Sequence, residues 1–162
     1  MPTYIAIDGH GGAGKTVLSK QLAAQLGAQL FHLDDYGDDY KPFIGIPALI
    51  DELKMATDDI VIYEGVGVFD ERFDGFEPFR IMVHPPKAVS AERGLRRDLN
   101  NHSRTEEEWR KIWQIWEVAE TQHFTEATFA KAHYTVGEHG EHELDAIIVA
   151  FKNFARKQLI KS

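Results

Sequence analysis

Eight consecutive residues, Gly9-His10-Gly11-Gly12-Ala13-Gly14-Lys15-Thr16, carry the clearest chemistry in this sequence. They fit G-x-x-x-x-G-K-[ST], a spacing in which each fixed position has a physical task. The glycines let the backbone turn tightly and aim its N–H groups inward at phosphate oxygens. A helix beginning after the loop adds the positive end of its dipole to the same anion. Lys15 then reaches the β- and γ-phosphates, and the Thr16 hydroxyl ligates Mg²⁺. Gly9, Gly11, Gly12, Ala13, Gly14, Lys15 and Thr16 are thus expected to hold the phosphates of ATP.

Two carboxylate positions follow downstream. Leu33-Asp34-Asp35-Tyr36 comes after one apolar stretch, and Ile60-Val61-Ile62-Tyr63-Glu64-Gly65 ends another on a single carboxylate. That position suits metal coordination, because the C-terminal ends of strands face the ligand crevice of an open α/β sheet. Transfer of phosphate to a hydroxyl benefits from a carboxylate that accepts its proton and shares the metal's water shell. Asp34, first off its strand, is the candidate base, with Thr16, Glu64 and Asp34 around the metal. Asp35, Asp38 and Asp39 read as a solvated acidic loop. Arg93 and Arg97 are four apart and share a helix face, where guanidinium groups can neutralise a transferring phosphoryl group. The sequence lacks the Asn-Lys-x-Asp segment that reads guanine, and no Asp-Glu pair of the kind found in ATP-driven engines ends the Ile60 strand.

The elements that must position these groups alternate along the chain. Residues 3–8, Gln29–Leu33, Ile60–Tyr63 and Phe79–Val83 read as strands, continuous and apolar as in a parallel sheet buried on both faces. Tyr134–Val136 reads as a short fifth. A helix is predicted from Lys15 to Leu26 with Gly27 as its stop, and an Arg-rich one from Pro85-Pro86 to about Asn100. Thr105 and Glu108 form a capping-box pattern opening a long helix. Its stripe of Trp109, Ile112, Trp113 and Trp116 reads as core, with stacking on a base the open alternative. A last amphipathic helix uses Leu144, Ile147, Ile148, Phe151 and Ala155. Strands alternating with helices predict a three-layer α/β/α fold over residues 1–162 as a single domain. His139 and His142, among Glu138, Glu141 and Glu143, read as a surface loop rather than a metal site.

Composition narrows the class further. A net charge of −8 argues against nucleic acid as a partner. The absence of cysteine excludes disulfides and thiolate metal sites. No apolar run approaches a membrane span, and Met1-Pro2-Thr3-Tyr4 does not read as a signal peptide, so a cytoplasmic location is expected.

Taken in order, Gly9–Thr16, Leu33-Asp34-Asp35-Tyr36, Tyr63-Glu64-Gly65 and Arg93-Gly94-Leu95-Arg96-Arg97-Asp98 resemble the uridine kinase branch of P-loop kinases over about the first 110 residues. The resemblance implies a five-stranded parallel sheet of order 2-3-1-4-5 and a lid over about residues 86–108. It matches Asp34 to the family's catalytic base and Glu64 to a carboxylate helping to hold Mg²⁺. Arg93 and Arg97 match lid-helix arginines, and Arg104 matches a nucleotide-binding arginine just beyond. The chain departs from that pattern at Gly37, at Ser90 and Gly94 in the lid helix, and in the short segment between Asp34 and Glu64. The function implied is transfer of the γ-phosphate of ATP, with Mg²⁺, to a hydroxyl of a nucleoside such as uridine, using Tyr36, Tyr40 or Phe43 in its pocket. Open alternatives are a sugar, a nicotinamide-riboside-like nucleoside or a nucleotide as acceptor, and a regulatory module that binds ATP without catalysis.

Overall fold

The computed structural model describes residues 1–137 and 143–161. Its strands are β1 (Thr3–Asp8), β2 (Gln29–His32), β3 (Ile60–Glu64), β4 (Phe79–Val83) and β5 (Tyr134–Val136). They form a parallel sheet of order β2-β3-β1-β4-β5, the order expected. Successive side chains of a strand point to opposite faces. In the central β1, Tyr4 and Ala6 enter one apolar layer, while Ile5 and Ile7 enter the other. Both faces are covered, which is why these strands carry no polar alternation.

Helix α1 (Lys15–Leu26) and the last helix, α6 (Leu144–Lys161), cover the Ile5–Ile7 face through Leu18, Leu22, Ile147 and Phe151. The opposite face is covered by α2 (Ile46–Met55), which buries Ile46, Leu49 and Leu53. Sequence patterning did not reveal α2, although Pro47 sits in its first turn, where a missing N–H costs nothing. Leu33, expected to end β2, instead opens a 3-10 turn over Leu33–Tyr36. The reason is register: His32 pairs with Glu64, the last residue of β3, and beyond it β2 has no neighbour to bond. The turn carries Asp34 off the sheet just where the strands end.

Past β4 the chain forms α3 (Lys87–Leu99), α4 (Glu106–His123) and the short α5 (Glu126–Ala130). The capping box is present: Glu108 N–H donates to Thr105 Oγ1 at 3.1 Å and Thr105 N–H to Glu108 Oε1 at 3.2 Å. Such a cap contributes about 1 kcal/mol and fixes where α4 starts. The exposed Arg96–Glu92 pair on α3 contributes at most a few tenths of that. Packing must therefore hold α3 in place. No helix among the described residues is long and apolar enough to cross a membrane. The His139 and His142 group lies outside the described residues.

Candidate phosphate and acceptor site

Parallel pairing brings Asp8, His32 and Glu64 to one edge of the sheet, and the phosphate loop starts there. Gly14 precedes α1, so Lys15 and Thr16 form its first turn and the loop's N–H groups gather at a helix N-terminus. Lys15 is buried, and its Nζ donates to His10 O at 2.8 Å, folding the side chain back along the loop. Thr16 Oγ1 donates to the buried Glu64 carboxylate at 3.2 Å. The expected metal-binding pair, Thr16 and Glu64, is thus adjacent. His32 Nδ1 stands 2.6 Å from the same Glu64 oxygen. This contact follows from the His32–Glu64 register and was not read from the sequence.

Asp34 lines a cavity beside the loop and is open to solvent along one side. The protein crowds its other sides, and the resulting loss of solvation raises its affinity for protons above that of an ordinary carboxylate. Glu64 adds to the rise, and Lys15 and Arg97 oppose it. These causes place Glu64, Lys15 and Arg97 within electrostatic reach of Asp34. The donors suit Mg²⁺, which is usually held by one or two carboxylates together with substrate phosphates rather than by an all-protein cage. Among the described residues no group of three or more His, Cys, Asp or Glu side chains is placed to hold a metal ion.

Helix α4 makes contacts that the sequence reading missed. Gly11 N–H, in the phosphate loop, donates to Glu120 Oε1 at 2.7 Å. One turn later His123 Nε2 lies 2.8 Å from Asp8 Oδ2. Asp8 is fully buried and also accepts N–H bonds from Gly9 (2.7 Å), Gly67 (3.1 Å) and Phe69 (2.9 Å). One carboxylate therefore ties together the start of the loop, the segment after β3 and the end of α4. Glu120 and His123 prolong the tryptophan stripe in alternating steps of four and three residues, so polar side chains on an apolar helix face were the available signal.

Helix α3 lies against the phosphate loop backbone to backbone. A Cβ on Gly12 would run into the Ser90 carbonyl and stand 2.7 Å from Gly94 N. At Gly94, which departs from an arginine of the resembled family, a Cβ would run into the Trp113 ring and stand 3.2 Å from Gly12 Cα, so a side chain has no room there. Arg97, one turn from Gly94, lines a cavity of about 180 Å³ with Gly11, Asp34 and Glu120. Arg93 is exposed one turn earlier on the same face.

Trp109, Trp113 and Trp116 wall this cavity, so the stripe read as core also borders the site. Arg104 donates to Asp39 Oδ2 at 3.1 Å and lies 5.1 Å from the Tyr40 ring and 5.6 Å from the Trp109 ring. Tyr36, Tyr40 and Phe43 are not among the described residues that line the cavity. Phe43 instead packs edge-on to Trp116 at 5.8 Å and against His123 at 5.6 Å. A larger cavity, about 360 Å³, opens beyond Trp113 and Glu120 beside Lys87 and Arg110, and neither Asp34 nor Arg97 lines it.

No family model matches the chain, and no curated protein matches it in sequence. Solved structures do match. The chain is similar to a gluconokinase from Sinorhizobium meliloti, at 14% identity and TM-score 0.63, covering 99% of this chain and 98% of that one. It is similar to a shikimate kinase from Acinetobacter baumannii in complex with shikimate, at 17% identity and TM-score 0.60, covering 94% and 95%. A shikimate kinase from Aquifex aeolicus matches at 16% identity and TM-score 0.58, covering 94% and 98%. The likeness is one of fold, and the fold is that of the P-loop kinases.

Proposed function

We propose that this protein is an ATP-dependent phosphotransferase that moves the γ-phosphoryl group of ATP to a hydroxyl of a compact polar metabolite. The observation that carries the reading is that Asp34 and Arg97 line one cavity with Gly11 of the loop, with Lys15 and Glu64 within electrostatic reach of Asp34. In the reaction the bond from the γ-phosphorus to the bridging oxygen breaks and a bond from the acceptor oxygen forms. ADP leaves, and the hydroxyl proton passes to the Asp34 carboxylate. Lys15 and the loop N–H groups hold the phosphates, and Arg97 with Arg93 stabilises charge on the transferring group. Thr16 and Glu64 would hold Mg²⁺, with Asp34 beside them, and the ion would supply positive charge against the phosphates. Arg104, matched to a nucleotide-binding arginine, would have to exchange its Asp39 contact to reach ATP.

A compact acceptor is favoured over uridine. The cavity beside Asp34, about 180 Å³, is smaller than the roughly 300 Å³ at which pockets for drug-sized ligands begin. Tyr40 and Phe43, expected to wall a nucleoside pocket, are engaged with Arg104 and Trp116. The kinases of similar fold carry the names of small hydroxyl compounds, shikimate and gluconate.

The test is label transfer from γ-labelled ATP with Mg²⁺ to a panel of hydroxyl acceptors. Lys15→Ala should lower the rate by roughly 10²- to 10³-fold. Calorimetric ATP binding with no phosphorylated product from any acceptor would replace this reading with the regulatory one. A second measurement concerns Glu120, whose carboxylate accepts from the Gly11 N–H of the loop expected to hold the phosphates. Glu120→Gln keeps the acceptor oxygen and removes the repulsion, so ATP affinity by calorimetry should rise on the order of tenfold. Unchanged affinity would mean that Glu120 is not near the bound phosphates.

A further inference from the structure

This inference rests on the kinase reading and concerns the rest of the molecule that carries the acceptor hydroxyl. To reach Asp34, that hydroxyl enters the cavity of about 180 Å³. Its wall contains four carboxylates, from Asp34, Asp39, Asp98 and Glu120, against one guanidinium, from Arg97. Counting Arg104, which pairs with Asp39, still leaves four negative groups facing two positive ones. Lys15, the other cation near Asp34, is committed to the phosphate loop.

The remaining wall is aromatic, and its N–H groups are used elsewhere. Trp109 Nε1 donates to Asn101 O at 3.2 Å, Trp113 Nε1 to Asp98 Oδ2 at 2.8 Å, and Trp116 Nε1 to Asp39 O at 2.8 Å. Gly11 N–H is likewise given to Glu120. The indoles therefore offer the cavity apolar ring surface rather than donors, with Arg104 already over the Trp109 ring at 5.6 Å. A ligand there meets carboxylate acceptors and indole surface, and Arg97, the strong donor in the wall, already gives its Nε–H to Asp98 Oδ1 at 3.2 Å. An anionic acceptor would compete with the γ-phosphate for that arginine. A cation is suited twice, by the carboxylates and by the electron-rich indole faces.

We propose that the acceptor is a compact cationic alcohol, held by its positively charged nitrogen against the tryptophans and Asp39 while its hydroxyl points to Asp34. The names of the similar solved structures do not suggest this, since shikimate and gluconate are acids.

All three tryptophans of the chain line this cavity, so intrinsic fluorescence of the unlabelled protein reports on it directly. Glucosamine and choline would be titrated against glucose, uridine, gluconate and shikimate, with a non-hydrolysable ATP analogue present. The cationic probes should bind on the order of tenfold more tightly than the neutral and acidic ones. A larger response to choline than to glucosamine would assign the preference to the indole faces, and the reverse order to the carboxylates. Asp39→Asn, which also frees Arg104, should weaken the cations on the order of tenfold and leave glucose unchanged. Equal affinities, tighter binding of gluconate or shikimate, or a flat response to both cations would each overturn the proposal. Label transfer from ATP in parallel separates the two readings. Cation binding without transfer to any acceptor overturns both readings, whereas transfer to neutral or acidic acceptors without cation preference removes only this one.

Discussion

Asp34→Asn is expected to lower kcat for phosphoryl transfer by roughly 10²- to 10⁴-fold, with ATP affinity nearly unchanged. Asparagine keeps the shape of the side chain and the turn that carries it, but it cannot take the hydroxyl proton. The environment of Asp34 adds a second expectation. Loss of solvation and the neighbouring Glu64 raise its pKa above the usual 3.8, against the pull of Lys15 and Arg97. The active form is the ionised one, so activity falls as pH drops through the raised value. The acid limb of the wild-type profile should then lie above the range of an ordinary carboxylate, and the variant should lack it. Circular dichroism and calorimetry would show that fold and ATP binding persist. An Asp34→Asn protein that is folded and turns over within about threefold of wild type would exclude Asp34 as the base.

What the sequence revealed depends on how local each signal is. The phosphate loop, the start and stop of α1 and the Thr105–Glu108 cap are set by neighbouring residues, and each stands where it was expected. The sheet order needed the family resemblance, because pairing joins residues far apart in the chain. Asp8 read simply as the end of a strand. Its role appears only when α4 brings His123 to it from across the molecule. Glu120 was hidden in the same way, although its place on the tryptophan stripe could have marked it. His32 became visible only through its register with Glu64. The tryptophans show the opposite failing: periodicity located the buried face of α4, but periodicity cannot tell a core from the wall of a cavity.

Gly12→Ala is expected to have the largest effect on the folded state. Gly12 has φ +80, a conformation that costs an L-residue about 1–2 kcal/mol. Gly27, with φ +62 and nothing near its would-be Cβ, isolates that cost. Gly27→Ala should therefore lose about 1 kcal/mol in denaturant unfolding. At Gly12 the added methyl also meets the Ser90 carbonyl and the Gly94 backbone. These atoms belong to a helix backbone, so no side-chain rotation relieves the clash, and α3 must move or the loop must open. A further loss of about 2 kcal/mol or more is expected. Tryptophan fluorescence should change with it, because Gly94 packs against Trp113. Moving α3 also carries Arg93 and Arg97 away from the loop, so transfer should fail in protein that is still folded. Equal losses for Gly12→Ala and Gly27→Ala would mean that α3 does not rest on the loop in solution. The arginines would then have to be brought to the phosphates by closure after ATP binds.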